Sequence, residues 1–102
     1  MIIIGEKING TRKKVGAAIQ KRDSQLIKRL GREQIEAGAD YLDLNAGTHP
    51  DQEPADMAWL VTTVQEEISE VKLCLDSTNP QALVAGIEVA RHLPMINSLS
   101  GE

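Results

Sequence analysis

The sequence predicts an α/β fold in which parallel strands alternate with helices, and two observations predict it. Four short apolar runs are separated by stretches with helical amphipathic spacing, in the order β-α-β-α-β-α-β. None of the runs alternates regularly between polar and apolar residues, which is typical of strands buried on both faces of a parallel sheet. Strands joined through helices need right-handed crossovers, so we expect a parallel sheet with strand order 1-2-3-4 and helices on one face.

The predicted strands cover residues 1–4, 41–44, 71–75 and 94–96. The first strand is expected to end at Gly5, and the second follows the turn at residues 38–40. Polar residues follow each of the four runs, and this places polar side chains at the carboxyl end of every predicted strand.

The first connection is long enough for two helical segments. Residues 14–20 fit a short helix, and Asp23 is then a candidate N-cap for a second one. In that second helix one face consists of Ile27, Leu30, Gly31 and Ile35. Gly38 follows its last turn as a stop signal.

The two later helices have clear signals. One carries a buried stripe at helical spacing, formed by Met57, Leu60, Val61, Val64 and Ile68. The other begins at Asn79-Pro80, an N-cap followed by proline at the first helical position. Its apolar face is expected to consist of Leu83, Val84, Ile87 and Ala90.

Composition excludes several classes of function. Acids outnumber bases by 15 to 11, and there are only one Trp and one Tyr, so nucleic acid is not expected as a partner. Cys74 is the single cysteine and can form neither an internal disulfide nor a cysteine metal site. No apolar run is long enough to span a membrane and no secretory leader is present, so we expect a cytoplasmic protein.

The polar residues at the predicted strand ends are the candidate site. Ends of parallel strands converge on one mouth, and here they bring carboxylates and amides together: Glu6, Asn9, Asp43, Asn45, Asp76 and Asn97. Carboxylates can accept paired N–H bonds from a planar 2-amino-pyrimidinone, and amides can bond its ring nitrogens and carbonyl. Simpler interpretations stay open, because Glu6 and Asn9 can merely order a loop and Asp76 can bond loop amides.

Four motifs at these strand ends resemble the pterin-binding family. They are IGEKIN at residues 4–9, GADYLDLN at 38–45, LCLDSTN at 73–79 and MINS at 95–98. The sequence is most similar to the methyltetrahydrofolate:corrinoid protein methyltransferases of one-carbon metabolism. Dihydropteroate synthases and the folate domain of cobalamin-dependent methionine synthase are relatives. The resemblance covers essentially the whole chain.

The resemblance implies that residues 1–102 are a single segment, the N-terminal half of a (β/α)8 TIM barrel. It implies that Asp76 binds the 2-amino and ring N–H edge of methyltetrahydrofolate and that Asn97 bonds the pterin ring. Asp43 and Asn45 would line the same mouth, and Glu6 and Asn9 would shape its floor and first loop. Cobalamin would be carried by a partner corrinoid protein, and no metal ion of the protein's own is implied.

The resemblance identifies no catalytic residue in this chain. The family's later aspartate and its N5-proximal asparagine have no counterpart here, so we expect the isolated chain to be inactive. A dihydropteroate synthase-like enzyme and a non-catalytic half-barrel are the alternatives. Because half a barrel leaves two sheet edges open and a concave face that we expect to be largely apolar, a homodimer is also expected.

Overall fold

The structure, a computed structural model, describes residues 1–98. These residues form a sheet of four parallel strands in sequence order, with helices in the connections. Two helices lie in the first connection and one in each later connection. The elements are β1 (Ile4–Asn9), α1 (Lys13–Lys21), α2 (Ser24–Glu36), β2 (Tyr41–Asn45), α3 (Glu53–Glu67), β3 (Leu73–Asp76), α4 (Pro80–Val89) and β4 (Met95–Asn97). The predicted fold class and strand order are confirmed.

The hydrophobic core lies between one face of the sheet and the helices. Leu42, Leu44 and Leu75 are fully buried, and they meet the stripe of α3 that the sequence predicted. Glycine lets α4 approach this face closely, because a Cβ on Gly86 would lie 2.7 Å from Leu75 Cδ1 and 3.0 Å from Met57 Cγ. The helices therefore pack on the face that carries the leucines.

The first strand does not lie where the sequence predicted. The first three residues are exposed, and the strand runs from Ile4 to Asn9 instead of over residues 1–4. Pairing with β2 begins only at Ile4, opposite Tyr41, and Ile8 is the residue of this strand that is fully buried. Tertiary pairing, not the apolar run, fixes this strand, and Glu6 and Asn9 consequently lie within it.

The predicted helix boundaries are confirmed. Asp23 caps α2, where its carboxylate accepts a hydrogen bond from Leu26 N at 3.3 Å, and Gly38 follows the helix with a φ of 107°. Asn79 caps α4, where its side chain accepts from Gln81 N at 3.0 Å. These caps satisfy helical N–H groups that would otherwise lack partners.

The predicted apolar face of α4 is wrong in two of its four residues. Val84 is 53% exposed and Ile87 is 37% exposed, whereas Ala82 and Gly86 are buried and Leu83 is partly buried. Small residues let α4 lie close to α3, and this packing turns the side with Val84 and Ile87 away from the core. Apolar residues occur all round α4, so spacing alone could not choose its buried side.

Candidate functional site

The face of the sheet opposite the core carries the candidate site. In the strand register Asn9 pairs with Asn45, Asp43 with Cys74, and Asp76 with Asn97. Successive side chains alternate between faces, so these residues lie on the side away from the buried leucines. The expectation that this concave face is largely apolar is wrong, because each strand places polar side chains there.

Asp76 and Asn45 meet at the carboxyl ends of two neighbouring strands. Asn45 Nδ2 donates to Asp76 Oδ2 at 3.5 Å, and both residues are partly exposed. Asp43 lies deeper on the same face, with 8% of its surface exposed. One carboxylate is thus open to a ligand at the mouth and a second lies almost buried behind it.

Asp43 is held in an environment that disfavours its charge. The pKa of Asp43 is raised from 3.8 to about 6, chiefly by burial and then by the negative charges of Asp76 and Glu6, and a hydrogen bond from Cys74 partly offsets the rise. Burial, followed by the neighbouring Asp43, raises the pKa of the Cys74 thiol to about 11. The thiol therefore stays protonated at neutral pH and acts as a hydrogen-bond donor toward Asp43, not as a nucleophile.

Cys74 is a part of the site that was not among the candidate site residues, because its apolar neighbours are typical of core packing. The available signal was the alternation of residues 73–76. Residues two apart in a strand point to the same face, so Cys74, which lies between two core-facing leucines, shares the opposite face with Asp76. Cys74 is buried, with 5% of its surface exposed.

Asn97 is positioned next to Asp76 by the pairing of β3 and β4. Its carbonyl oxygen accepts a hydrogen bond from Ser77 N at 3.1 Å. The Ser77 hydroxyl in turn donates to Glu53 Oε2 at 2.5 Å and accepts from Asn79 N at 2.9 Å. The loop after β3 is therefore fixed to both β4 and the start of α3, which keeps Asp76 in place.

Asn9 orders the loop after β1. Its side-chain oxygen accepts from Thr11 N at 2.9 Å and from Thr11 Oγ1 at 2.7 Å. This is the loop-ordering role that the sequence left open for Asn9. Glu6 is exposed, and its charge acts on the site through Asp43.

The loops after β1 and β2 touch each other through their backbones and form one rim of the mouth. Gly10 N donates to Asn45 O at 2.6 Å, and Gly47 has a φ of 61°. A Cβ on Gly47 would lie 2.5 Å from Thr11 N, so only glycine fits this contact. Beside it, the Thr48 hydroxyl oxygen is buried and has no hydrogen-bond partner among residues 1–98. No pattern in the sequence pointed to Thr48.

Two other features of the sequence bear on function. Both histidines are exposed, with His49 beside Asp51 and His92 beside Glu70. Over residues 1–98, no three His, Cys, Asp or Glu side chains are grouped so that they could hold a metal ion. Within the same residues, no helix has the length and apolar character needed to cross a membrane.

Comparison with known proteins agrees with the geometry. Residues 5–102 match the sequence profile of a family described as pterin binding enzyme. The chain is 42% identical over 102 residues to the methylcorrinoid:tetrahydrofolate methyltransferase of Eubacterium limosum. That alignment covers 100% of this chain and 37% of the relative's length. The matching family folds as a TIM barrel, and β1–β4 with their helices correspond to half of one.

Proposed function

The chain belongs to the pterin-binding enzyme family, and from that premise we propose that its strand-end cluster binds the pterin ring of methyltetrahydrofolate. Residues 1–102 would be a single segment, the N-terminal half of a barrel domain. A protein that contains this segment would transfer a methyl group between tetrahydrofolate N5 and the cobalt of a corrinoid protein. The name of the Eubacterium limosum relative supports methyl transfer over a dihydropteroate synthase-like reaction.

The observation that carries the proposal is the meeting of Asp76 and Asn45 at the mouth, 3.5 Å apart, beside the register partner Asn97. A pterin presents a 2-amino group and a ring N–H on one edge, and the carboxylate of Asp76 can accept both bonds. The amides of Asn45 and Asn97 can serve the remaining ring nitrogen and carbonyl. Hydrogen bonds to a charged acceptor contribute more than neutral ones, so Asp76 is the expected anchor.

Asp43 would support this anchor from behind. Burial and then the negative charge of Asp76 raise the pKa of Asp43 to about 6, and at neutral pH the two carboxylates repel each other. A ligand that brings N–H donors to Asp76 relieves the repulsion. The buried Cys74 thiol donates a hydrogen bond to the Asp43 carboxylate.

The chemistry of the transfer sets what the site must do. N5 is a poor leaving group and must gain a proton or a strong hydrogen bond as its bond to the methyl carbon breaks. The residues of this chain act by orientation: they hold the ring so that the methyl group points out of the mouth. Cobalt belongs to the corrinoid partner, and no residue here is assigned to the proton. The chain alone is therefore expected to bind the pterin and to give no methyl transfer to a corrinoid acceptor.

A change in the ligand tests the proposal most simply. Isothermal titration of the chain with 5-methyltetrahydrofolate should give saturable binding. An analogue with hydrogen in place of the 2-amino group should bind at least about tenfold more weakly, since it leaves a buried face of Asp76 without a donor. Equal affinities for the two compounds, or no binding of either, would contradict the assignment of the pterin edge to Asp76.

We also propose that two copies of the chain associate through the open edges of the sheet. Among residues 1–98, β1 pairs only with β2 and β4 only with β3. Beside the second edge Leu93 is 89% exposed, and Met95 and Ile96 are exposed as well. Pairing of β1 of one copy with β4 of the other would close eight strands with two-fold symmetry. Light scattering at micromolar concentration should give about twice 11.1 kDa, and a stable mass of 11.1 kDa would refute the association.

A further inference from the structure

The side chain of Asp43 lies between two hydrogen-bonding partners, Cys74 and Asp76. Asp43 is opposite Cys74 in the register of β2 and β3, and Asp76 follows Cys74 by two residues on the same face. We infer that Cys74 is a positioning residue: its thiol keeps Asp43 ionised and off Asp76, so that both oxygens of Asp76 are free for the pterin edge. The inference rests on the proposed function, because it concerns the residue that anchors the pterin there.

This group of three side chains has a closed end and an open end. Cys74 and Asp43 are buried, with 5% and 8% of their surfaces exposed. Asp76 is partly exposed and accepts a hydrogen bond from Asn45 Nδ2 at 3.5 Å, at the mouth. A ligand at the mouth therefore contacts Asp76, and Cys74 acts on that ligand through Asp43 and Asp76.

Asp43 has a different partner in each of its protonation states. An ionised carboxylate only accepts hydrogen bonds, and the Cys74 thiol donates one to it. Burial and then Asp43 raise the pKa of Cys74 to about 11, so the thiol keeps its proton at neutral pH. Protonated Asp43 can instead donate its O–H to the Asp76 carboxylate. After burial, which is the largest cause of the raised pKa of Asp43, the bond to Asp76 raises that pKa and the bond from Cys74 lowers it.

The protonated form of Asp43 competes with the pterin for Asp76. Its O–H occupies a lone pair of the Asp76 carboxylate, which then has less to offer the 2-amino and ring N–H donors of the pterin. Because the pKa of Asp43 is about 6, the affinity for the pterin should fall as the pH drops through 6. Loss of the thiol removes the bond that favours the ionised form, so it should move this fall to higher pH.

The other charged groups on this face of the sheet do not take the place of the thiol. Glu6 of β1 adds, after burial and Asp76, to the rise in the pKa of Asp43. Lys72 of β3 shares the face, but its Nζ lies over the Tyr41 ring, 5.9 Å from the ring centroid. The residues of β4, Met95–Asn97, have no ionisable side chain, and the helices pack on the opposite face. The thiol is thus the group on this face that favours ionised Asp43.

Calorimetry with the full chain and 5-methyltetrahydrofolate as a function of pH tests the inference. In wild type the affinity should fall at least about fivefold between about pH 8 and pH 5, with a midpoint near about pH 6. Cys74→Ala should raise this midpoint by about 0.5–1.5 pH units and should weaken binding at least about twofold at about pH 6.5. At about pH 8.5 the variant should bind like wild type, because Asp43 is ionised in both. The ratio of the two affinities at each pH cancels any titration of the ligand itself.

Two matched variants and one measurement on the unmodified chain separate the hydrogen bond from packing. Cys74→Ser keeps a donor and should retain the wild-type midpoint. Val71→Ala removes apolar volume from a residue that is 6% exposed, so it should lower stability and leave the midpoint in place. Carbon-13 NMR of the Asp43 carboxyl, assigned with Asp43→Asn, gives its pKa directly. Since coupling is reciprocal, saturation of wild type with the pterin should lower that pKa by about 0.5 or more.

The outcomes separate this inference from the proposed function. Equal midpoints for wild type and Cys74→Ala would overturn the role of Cys74 while the pterin site stands. A midpoint of Cys74→Ser as high as that of Cys74→Ala, or an equal shift in Val71→Ala, would assign the effect to packing and overturn it too. So would a pKa of Asp43 that rises on saturation with the pterin. No saturable binding by wild type at any pH would overturn the proposed function, and the inference with it.

Discussion

The two faces of β3 show how this chain separates stability from chemistry. Leu73 and Leu75 point toward the helices and are 4% and 0% exposed, whereas Cys74 and Asp76 point to the other face. The first face contributes apolar contacts to a closed core. The second keeps carboxylates of neighbouring strands close together, with the pKa of Asp43 raised to about 6. Adjacent residues of one strand thus have opposite tasks, and substitutions on each face should have separable effects.

The largest expected effect is on the core face. Leu75→Ala would leave a cavity beside Met57 and Gly86, and we expect the free energy of unfolding to fall by about 2–5 kcal/mol. Val84→Ala is the matched control because Val84 is 53% exposed, and its effect should stay within about 0.5 kcal/mol. Chemical denaturation measures both values. Similar losses in the two variants would show that the core does not lie where the structure has it.

The next effect concerns the charge of Asp43 on the other face. Its pKa is raised from 3.8 to about 6, so the folded state binds a proton more tightly than the unfolded state. The corresponding stabilisation is present below about pH 4 and is lost as the pH rises through 6. Asp43→Asn removes this dependence and should stabilise the chain relative to wild type by about 1–3 kcal/mol more at pH 7.5 than at pH 4.

Thermal unfolding of wild type and Asp43→Asn across this pH range measures the difference. Asp51→Asn is the control, because Asp51 has 88% of its side chain exposed. A stability difference between wild type and Asp43→Asn that does not change with pH would mean that Asp43 is solvated like an ordinary surface carboxylate.

The smallest expected effect is at Asn79, the N-cap residue of α4. Asn79 accepts from Gln81 N at 3.0 Å and donates to Pro50 O at 3.2 Å. Asn79→Ala should lower the free energy of unfolding by about 0.5–2 kcal/mol, the range for a lost N-cap. Thr78→Ala changes the exposed neighbour and should have almost no effect. Equal values from denaturation of the two variants would mean that the cap contributes nothing.

Local signals explain what the sequence predicted correctly. The caps at Asp23 and Asn79 depend on residues within one turn of each other, and both are present in the structure. The stripe of α3 is present from Met57 to Val64, whereas Ile68 lies just beyond the end of the helix. The start of β1 and the buried side of α4 depend on partners far along the chain. Ile8 is buried because β1 pairs with β2, and Gly86 faces the core because α3 packs there.

The candidate site shows the same division. The polar strand ends could be recognised from their order and spacing, and the strand register brings Asp76 beside Asn97 as that reasoning requires. The contact between Cys74 and Asp43 could not be recognised, because it needs the register between two strands. The buried hydroxyl of Thr48 depends on how two loops meet, which no local pattern encodes.

The affinity of Asp76→Asn for 5-methyltetrahydrofolate tests the central claim most directly. The substitution keeps the shape of the side chain and removes the charged acceptor at the mouth. Calorimetry should give a loss of about 1.5–3 kcal/mol in binding free energy, while the free energy of unfolding changes by less than about 1 kcal/mol and Asp51→Asn binds like wild type. An unchanged affinity of Asp76→Asn, measured on a folded protein, would contradict the assignment of this face of the sheet to pterin binding.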